Sequence, residues 1–285
     1  MRPDGRIGRL VVICVLGVMI ICLMLHWLEQ RLVYFPTRQL VVQPDSLGRA
    51  FESVTFKASD GTQLHGWFFP ADTNSPRRRF VVLVCHGNGG NISHRVELYR
   101  ALLECGVAVF AFDYRGYGCS RGSPSEEGTY RDAQGAYHWL RKNGFEPDGI
   151  VAYGESLGGG VVSELALREK VGGLVIQSSF TSLADVGAEL MPWLPVRRLA
   201  RNKYNTRGKL PQIHVPVLVM HSRADELVGF HHAEANFAVA NDPKLFCELE
   251  GDHNNPLSNR ARFVTGIKQF LQLLETHRRQ PARAE

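Results

Sequence analysis

Hydrophobic and polar positions along the chain follow two patterns. Residues 10–28 read LVVICVLGVMIICLMLHWL without a formal charge. As a helix these residues span about 28 Å, close to the roughly 30 Å of a bilayer's hydrocarbon core. Beyond residue 50, short β-branched runs alternate with longer helical patterns, which predicts a mostly parallel sheet covered by helices on both faces. The pattern places strands over 53–57, 64–70, 80–85, 107–112, 149–153, 173–177, 215–221 and 244–250. Helices are expected over 93–104, 130–143, 157–169, 231–240 and 260–277. The runs VVLVC and VAVFAF are apolar throughout, as strands buried on both faces should be. Ser59-Asp60-Gly61 between the first two runs is a turn signal, so an antiparallel pair is expected at the sheet edge.

The N-terminal apolar run has two readings. Arg2, Arg6 and Arg9 would suit the basic start of a cleavable signal peptide, whose apolar region is usually only about 7–15 residues long. Here no small-x-small cleavage site follows, and His26, Trp27, Glu29, Gln30, Arg31, Tyr34 and Phe35 form the aromatic and charged fringe expected at headgroup level. A single membrane anchor is therefore favoured. The resulting organisation is a basic tail (1–9), an anchor (10–28), a tether (29–50), one α/β domain (51–277) and a C-terminal tail (278–285). Arg2, Arg6 and Arg9 slightly outweigh Arg31 and Arg38, which favours a cytoplasmic N-terminus and a domain on the non-cytoplasmic side. In an oxidising compartment Cys85, Cys105, Cys119 and Cys247 would have to be paired or buried.

Composition adds exclusions. With 44% hydrophobic and 21% charged residues, 28 Gly and 14 Pro, the chain is an ordinary globular protein rather than a disordered one. Six cysteines without a C-x-x-C or a Cys/His cluster at ligand spacing argue against a disulfide framework and a structural zinc site. The net charge of +5 is scattered over the N-terminus, Arg77 to Arg79, the stretch from Arg197 to Lys209, and Arg278 with Arg279. Neither a basic stripe nor a recognition motif for nucleic acid results.

The chemistry is concentrated after the fifth predicted strand. Gly154-Glu155-Ser156-Leu157-Gly158 lies between a strand and a helix, the context of a G-x-S-x-G nucleophile elbow. A serine at the tip of such a turn is presented in strained backbone geometry, and glycines on either side let neighbouring segments approach. Read alone, Gly158-Gly159-Gly160 would also suit a structural turn packing helix against sheet. A serine hydroxyl is a weak nucleophile without a base, and the base needs an orienting third group. In this fold class the acid and histidine follow the serine in that order. Asp225 follows the seventh strand and His253 the eighth. Glu226 and Asp185 are the rival acids, while His221, His231 and His232 are better read as structural or surface histidines. An oxyanion hole needs two backbone donors. Leu157 supplies one, and Asn88 in the loop His86-Gly87-Asn88-Gly89-Gly90-Asn91 supplies the other, with His86 bracing that loop. The loop lacks the Gly-Lys-Ser/Thr ending of a phosphate cradle.

With these residues assembled, the chain resembles the α/β-hydrolase superfamily and, within it, the membrane-anchored Bem46-like group that includes the mammalian α/β-hydrolase-domain proteins of types 12, 13 and 17. The resemblance covers about residues 30–275. It is carried by YFP at Tyr34 to Pro36, HGNGGN at His86 to Asn91, DYRGYG at Asp113 to Gly118, GESLGG at Gly154 to Gly159, SSFTSL at Ser178 to Leu183, HSRADELV at His221 to Val228, and GDHNN at Gly251 to Asn255. It implies an eight-stranded hydrolase sheet, a triad of Ser156, Asp225 and His253, and acyl hydrolysis of esters or thioesters. Two positions depart from the group. Gly229 stands where a proline is usual, which predicts a looser Asp225 loop, and Asp252 stands where a second glycine commonly precedes the histidine.

The expected reaction is attack of Ser156 on an acyl carbonyl with His253 as base and water releasing the acyl group, a sequence that needs no cofactor. A short cap is expected between the sixth and seventh strands, where Leu190-Met191-Pro192-Trp193-Leu194-Pro195 precedes Arg197, Arg198, Arg201, Lys203, Arg207 and Lys209. Met191 and Trp193 are the candidate substrate-binding residues. Apolar and basic features beside an anchor suggest a lipid-like or acylated substrate at an anionic surface, against a cap with a merely solvated basic face. Two further readings stay open: a serine peptidase of prolyl-oligopeptidase type, and a membrane-tethered scaffold that has lost catalysis.

Overall fold

An apolar run without a helix-breaking proline gives one long helix, α1 (Gly5–Val33), which outruns the predicted 10–28 at both ends. The computed structural model describes residues 5–279; positions 1–4, including Arg2, and 280–285 of the expected C-terminal tail lie outside the described residues. Among the described residues α1 is the one helix long and apolar enough to cross a membrane, with a mean hydropathy of 2.8 in its most apolar stretch. The Arg31 guanidinium lies 5.2 Å from the Trp27 ring centre, one turn away along the helix. Contacts divide the chain into Met1–Phe35 and Pro36–Glu285.

The second unit is built on eight strands: β1 (Glu52–Lys57), β2 (Gln63–Phe69), β3 (Val81–Cys85), β4 (Ala108–Asp113), β5 (Ile150–Glu155), β6 (Gly173–Gln177), β7 (Val217–Ser222) and β8 (Lys244–Leu249). They lie in the order β1-β2-β4-β3-β5-β6-β7-β8, and only β2 runs against the rest. The sheet is therefore mixed at one edge and parallel elsewhere. The expected edge hairpin forms through Ala58 to Thr62, with Gly61 at φ 83°.

Strand alternation sorts side chains between two layers. Val82, Val84, Val109, Ala111, Val151 and Tyr153 face a core closed by Leu98, Tyr99 and Leu102 of α2 (Val96–Leu103) and by Phe263, Ile267 and Phe270 of α9 (Arg260–Arg279). On the other face Phe110 stacks on Trp139 of α3 (Glu126–Lys142), with ring centres 4.5 Å apart. Packed beside α3 is α4 (Leu157–Arg168), which leaves the carboxyl end of β5. Between β6 and β7 lie α5 (Leu183–Leu190), α6 (Val196–Leu199) and α7 (Thr206–Lys209), and α8 (Phe230–Val239) precedes β8.

The boundaries shift for identifiable reasons. The α3 helix starts at Glu126 rather than 130 because the Ser125 side chain accepts a hydrogen bond from Gly128 N and two glutamates occupy the first turn. Residues 92–95 form a 3-10 turn capped by Asn91 before α2 begins, which splits the helix expected over 93–104. The β7 strand begins at Val217, since Pro216 has no N–H for the ladder. The helices α5, α6 and α7 had no periodic signal because none exceeds 8 residues. At the other end α9 runs to Arg279, into the segment expected to be tail.

Replacing Ser125 with Ala removes the α3 cap and is expected to lower stability by about 1 kcal/mol, read from chemical denaturation; a midpoint equal to wild type would show that the cap does not hold the first turn.

Candidate active site

Since β5 ends at Glu155 and α4 begins at Leu157, Ser156 alone makes the turn, with φ 52° and ψ −113°. Such a conformation is unfavourable for any residue with a Cβ and persists only when its surroundings fix it. Ser156 N donates to Gln177 O (2.9 Å), and the Ser179 hydroxyl donates to Ser156 O (2.6 Å). A Cβ on Gly158 would collide with the Cys85 carbonyl oxygen, so only glycine lets α4 pass this close to the end of β3.

The turn brings Ser156 Oγ to 3.1 Å from His253 Nε2, while His253 Nδ1 lies 2.7 Å from Asp225 Oδ2. Asp225 hangs from the loop after β7, and its Oδ1 accepts from Leu227 N (3.0 Å) and Val228 N (2.8 Å). On its far side the His221 Nε2–H donates to Val228 O (2.7 Å) and lies 3.3 Å from Asp225 Oδ2. Burial alone would raise the Asp225 carboxyl, but hydrogen bonds from His221, His253 and the Val228 amide hold it well below the usual carboxylate range. Asp225 is thus an ionised partner that fixes the proton of His253 on Nδ1.

The loop after β3 runs alongside the nucleophile: a Cβ on Gly87 would lie 3.5 Å from Ser156 Cβ. Its shape is held from several sides. Tyr117 OH donates to Asn88 O (2.8 Å), Tyr114 OH to His86 O (3.0 Å), and Arg95 to Gly89 O (2.7 Å) while pairing with Glu155 at 3.3 Å. The tether contributes too. Thr37 N donates to Gly90 O (3.1 Å), and the Asn91 amide donates to Thr37 O (2.9 Å) and Gln39 O (2.7 Å). Leu157 is the first residue of α4, and Asn88 lies in the loop after β3 that lines the same cavity as Ser156.

Ser156, His253 and Asn88 line one cavity of about 550 Å³. Its apolar walls are Leu98, Leu227 and Leu257, from α2, the Asp225 loop and the His253 loop. The candidate substrate residues Met191 and Trp193 do not line it, and Trp193 is 78% exposed. Trp193 and Leu190 of the cap are exposed, and the walls near Ser156 come instead from the two loops that carry Asp225 and His253. Nor is the basic run after the cap uniformly free: Arg197 pairs with Asp185 (2.7 Å) and Lys209 with Glu164 (2.8 Å).

The rival residues fall elsewhere. Asp185 accepts from Thr181 and Ser182 (both 2.8 Å), Glu226 is exposed, and His231 and His232 meet Glu189. Asp252 accepts from Asn254 N and Asn255 N, each at 2.9 Å, closing its own turn. The Asp225 loop, in which Gly229 stands, is closed by the two hydrogen bonds to Asp225 Oδ1. All four cysteines of the domain are unpaired: Cys85 and Cys105 are buried, Cys247 is half-buried and Cys119 is exposed. Sequence reasoning passed over Gln177, whose buried Oε1 has no hydrogen-bond partner at the cavity wall. A polar residue closing the otherwise apolar strand GLVIQ was the available signal.

Comparison with known proteins agrees with this fold. Residues 81–215 match the model of the alpha/beta hydrolase fold. An uncharacterized protein of Mycobacterium tuberculosis is 40% identical over 87% of this chain and 89% of its own. The alpha/beta hydrolase domain-containing protein WAV2 of Arabidopsis thaliana is 32% identical over 74% of this chain and 75% of its own. Among solved structures, an esterase of Pyrococcus furiosus superposes with a TM-score of 0.68 at 22% identity, covering 85% of this chain and 98% of that one.

A second His/Asp pair lies at the base of the loop after β3. His86 Nδ1–H donates to Gly87 O (2.7 Å), which leaves the Nε2 lone pair 3.7 Å from Asp113 Oδ1. Burial, with Arg95 nearby, pushes His86 down to about 3, and burial pushes Asp113 up to about 7. Folding therefore exchanges a proton on His86, whose ordinary value is 6.5, for one on Asp113, whose ordinary value is 3.8. The lowered histidine makes stability fall as pH drops below 6.5, and the raised carboxyl makes it fall as pH rises from 3.8 to 7, so the two slopes oppose each other. Replacing Asp113 with Asn leaves the histidine slope alone. Its denaturation midpoint is expected to drop more steeply than that of wild type between pH 6.5 and 4; parallel profiles would contradict the exchange.

Proposed function

Because this chain belongs to the α/β-hydrolase family, we propose that it is a membrane-anchored serine hydrolase that cleaves carboxylic esters or thioesters of lipid-like or acylated substrates. The observation that carries this reading is the contact of His253 with both Ser156 Oγ (3.1 Å) and Asp225 Oδ2 (2.7 Å). With Nδ1 protonated toward Asp225, the Nε2 lone pair faces the serine hydroxyl and takes its proton as Oγ attacks the acyl carbonyl. The resulting imidazolium is stabilised by the ionised Asp225. The amides of Leu157 and Asn88 receive the oxyanion, where loss of one such donor typically costs about 10² to 10³ in rate. His253 then protonates the leaving alcohol or thiol, and water, deprotonated by the same nitrogen, releases the acid.

Substrate class is inferred from the walls. Leu98, Leu227 and Leu257 favour an acyl chain, and the unpartnered Gln177 Oε1 offers an acceptor to a polar group near the carbonyl. The apolar helix α1 supports a location at a membrane, where such substrates concentrate. The esterase neighbour carries a related fold and supports the ester reading by likeness alone.

Labelling of the membrane-bound chain with a fluorophosphonate probe tests the reading. Wild type is expected to label, Ser156→Ala not at all, and His253→Ala at a rate lower by about 10³-fold or more. A folded wild type that resists the probe, or a labelled Ser156→Ala, would contradict it and leave the tethered scaffold as the reading to pursue.

A further inference from the structure

Outside the cavity, three side chains from two elements converge. Glu189 lies in the last turn of α5, and His231 and His232 occupy the first turn of α8. His231 Nε2 is 3.1 Å from Glu189 Oε1 and His232 Nε2 is 3.3 Å from Glu189 Oε2, and the three ligand atoms lie within 4.8 Å of one another. Donors around tetrahedral zinc, at metal distances of about 2.0–2.1 Å, stand about 3.3 Å apart.

Two surrounding features set up the donors. A Cβ at Gly229 would lie 2.7 Å from the His231 ring, so glycine gives that ring the room to turn toward Glu189. His232 is buried, and its Nδ1 lies 2.9 Å from Thr181 Oγ1, which itself donates to Asp185 Oδ2 at 2.8 Å. The Thr181 amide also donates to Nδ1 (3.3 Å), so Nδ1 is the ring's acceptor and Nε2–H faces Glu189. A divalent cation would take the place of the Nε2 proton, between the two imidazoles and the carboxylate that already converge there. The contacts of Nδ1 with the Thr181 amide and hydroxyl fix the orientation of the His232 ring.

We propose that Glu189, His231 and His232 form a binding site for a divalent transition metal, with zinc the best match, which clasps the end of α5 to the start of α8. Two imidazoles and one carboxylate suit zinc, and the exposure of Glu189 and His231 leaves a fourth position for water. Spacing within the sequence could not reveal the site, because the carboxylate comes from 42 residues before the first histidine. Binding to the folded state alone would stabilise the cap segment by linkage.

The test is a zinc titration of the tag-free full chain in detergent, after metal stripping, against a chromophoric chelator, with thermal unfolding and X-ray absorption at the zinc edge. Wild type is expected to bind one equivalent, to unfold at a higher temperature with zinc, and to show a nitrogen and oxygen shell without sulfur. Glu189→Gln and His231→Ala, both at exposed positions, are expected to weaken binding at least about tenfold and to lose the thermal shift while unfolding like wild type without zinc. Absence of stoichiometric binding, equal affinity in the variants, or a sulfur shell from Cys119 would overturn the proposal. None of these readouts depends on hydrolase activity.

Discussion

A backbone held at φ 52° and ψ −113° costs on the order of 1–3 kcal/mol at a residue with a side chain, and at Ser156 the neighbouring elements hold that conformation. The residue before it is locked into the ladder with β6 and the residue after it is already helical. Its own amide and carbonyl are taken by Gln177 and Ser179. Gly158 then allows α4 to leave β5 in contact with the end of β3. That close passage places the loop after β3 beside the serine, and it is why residues from distant parts of the chain share one cavity.

Two His/Asp pairs serve this arrangement with opposite proton positions, and the difference follows from the donors available. Asp225 is surrounded by amides and imidazole N–H groups, so it stays ionised and orients His253. Asp113 is deeper, accepts one bond from Ile92 N (2.9 Å), and faces a histidine lone pair, so burial favours its protonated form. The first pair is poised to move a proton at the serine. The second packs beneath the loop after β3, where burial shifts Asp113 toward its neutral form.

Much of this was legible in the sequence because it is local. The elbow declares itself in Gly154 to Gly158, all eight strands were visible as short β-branched or apolar runs, and the candidate acid and base follow from chain order. What was not legible depends on side chains meeting across the fold. His221 shows no sign in sequence of backing Asp225, since only the curl of the loop brings them together. Trp193 looked like a substrate contact because it is large and apolar, but the cap points it to solvent while Leu227 and Leu257 take the wall. The cap helices are too short for periodicity to register. Tether residues 37–39 likewise read as spacer until their backbone is seen holding Gly90 and Asn91.

The central claim is that Ser156, driven by His253 and Asp225, takes the acyl group covalently. Its most direct measurement is rapid quenching of the chain during turnover of an activated ester, followed by peptide mass mapping. The account predicts an initial burst of leaving group and an acyl mass on the peptide carrying Ser156. Ester turnover with no burst and no acylated Ser156 peptide would contradict it.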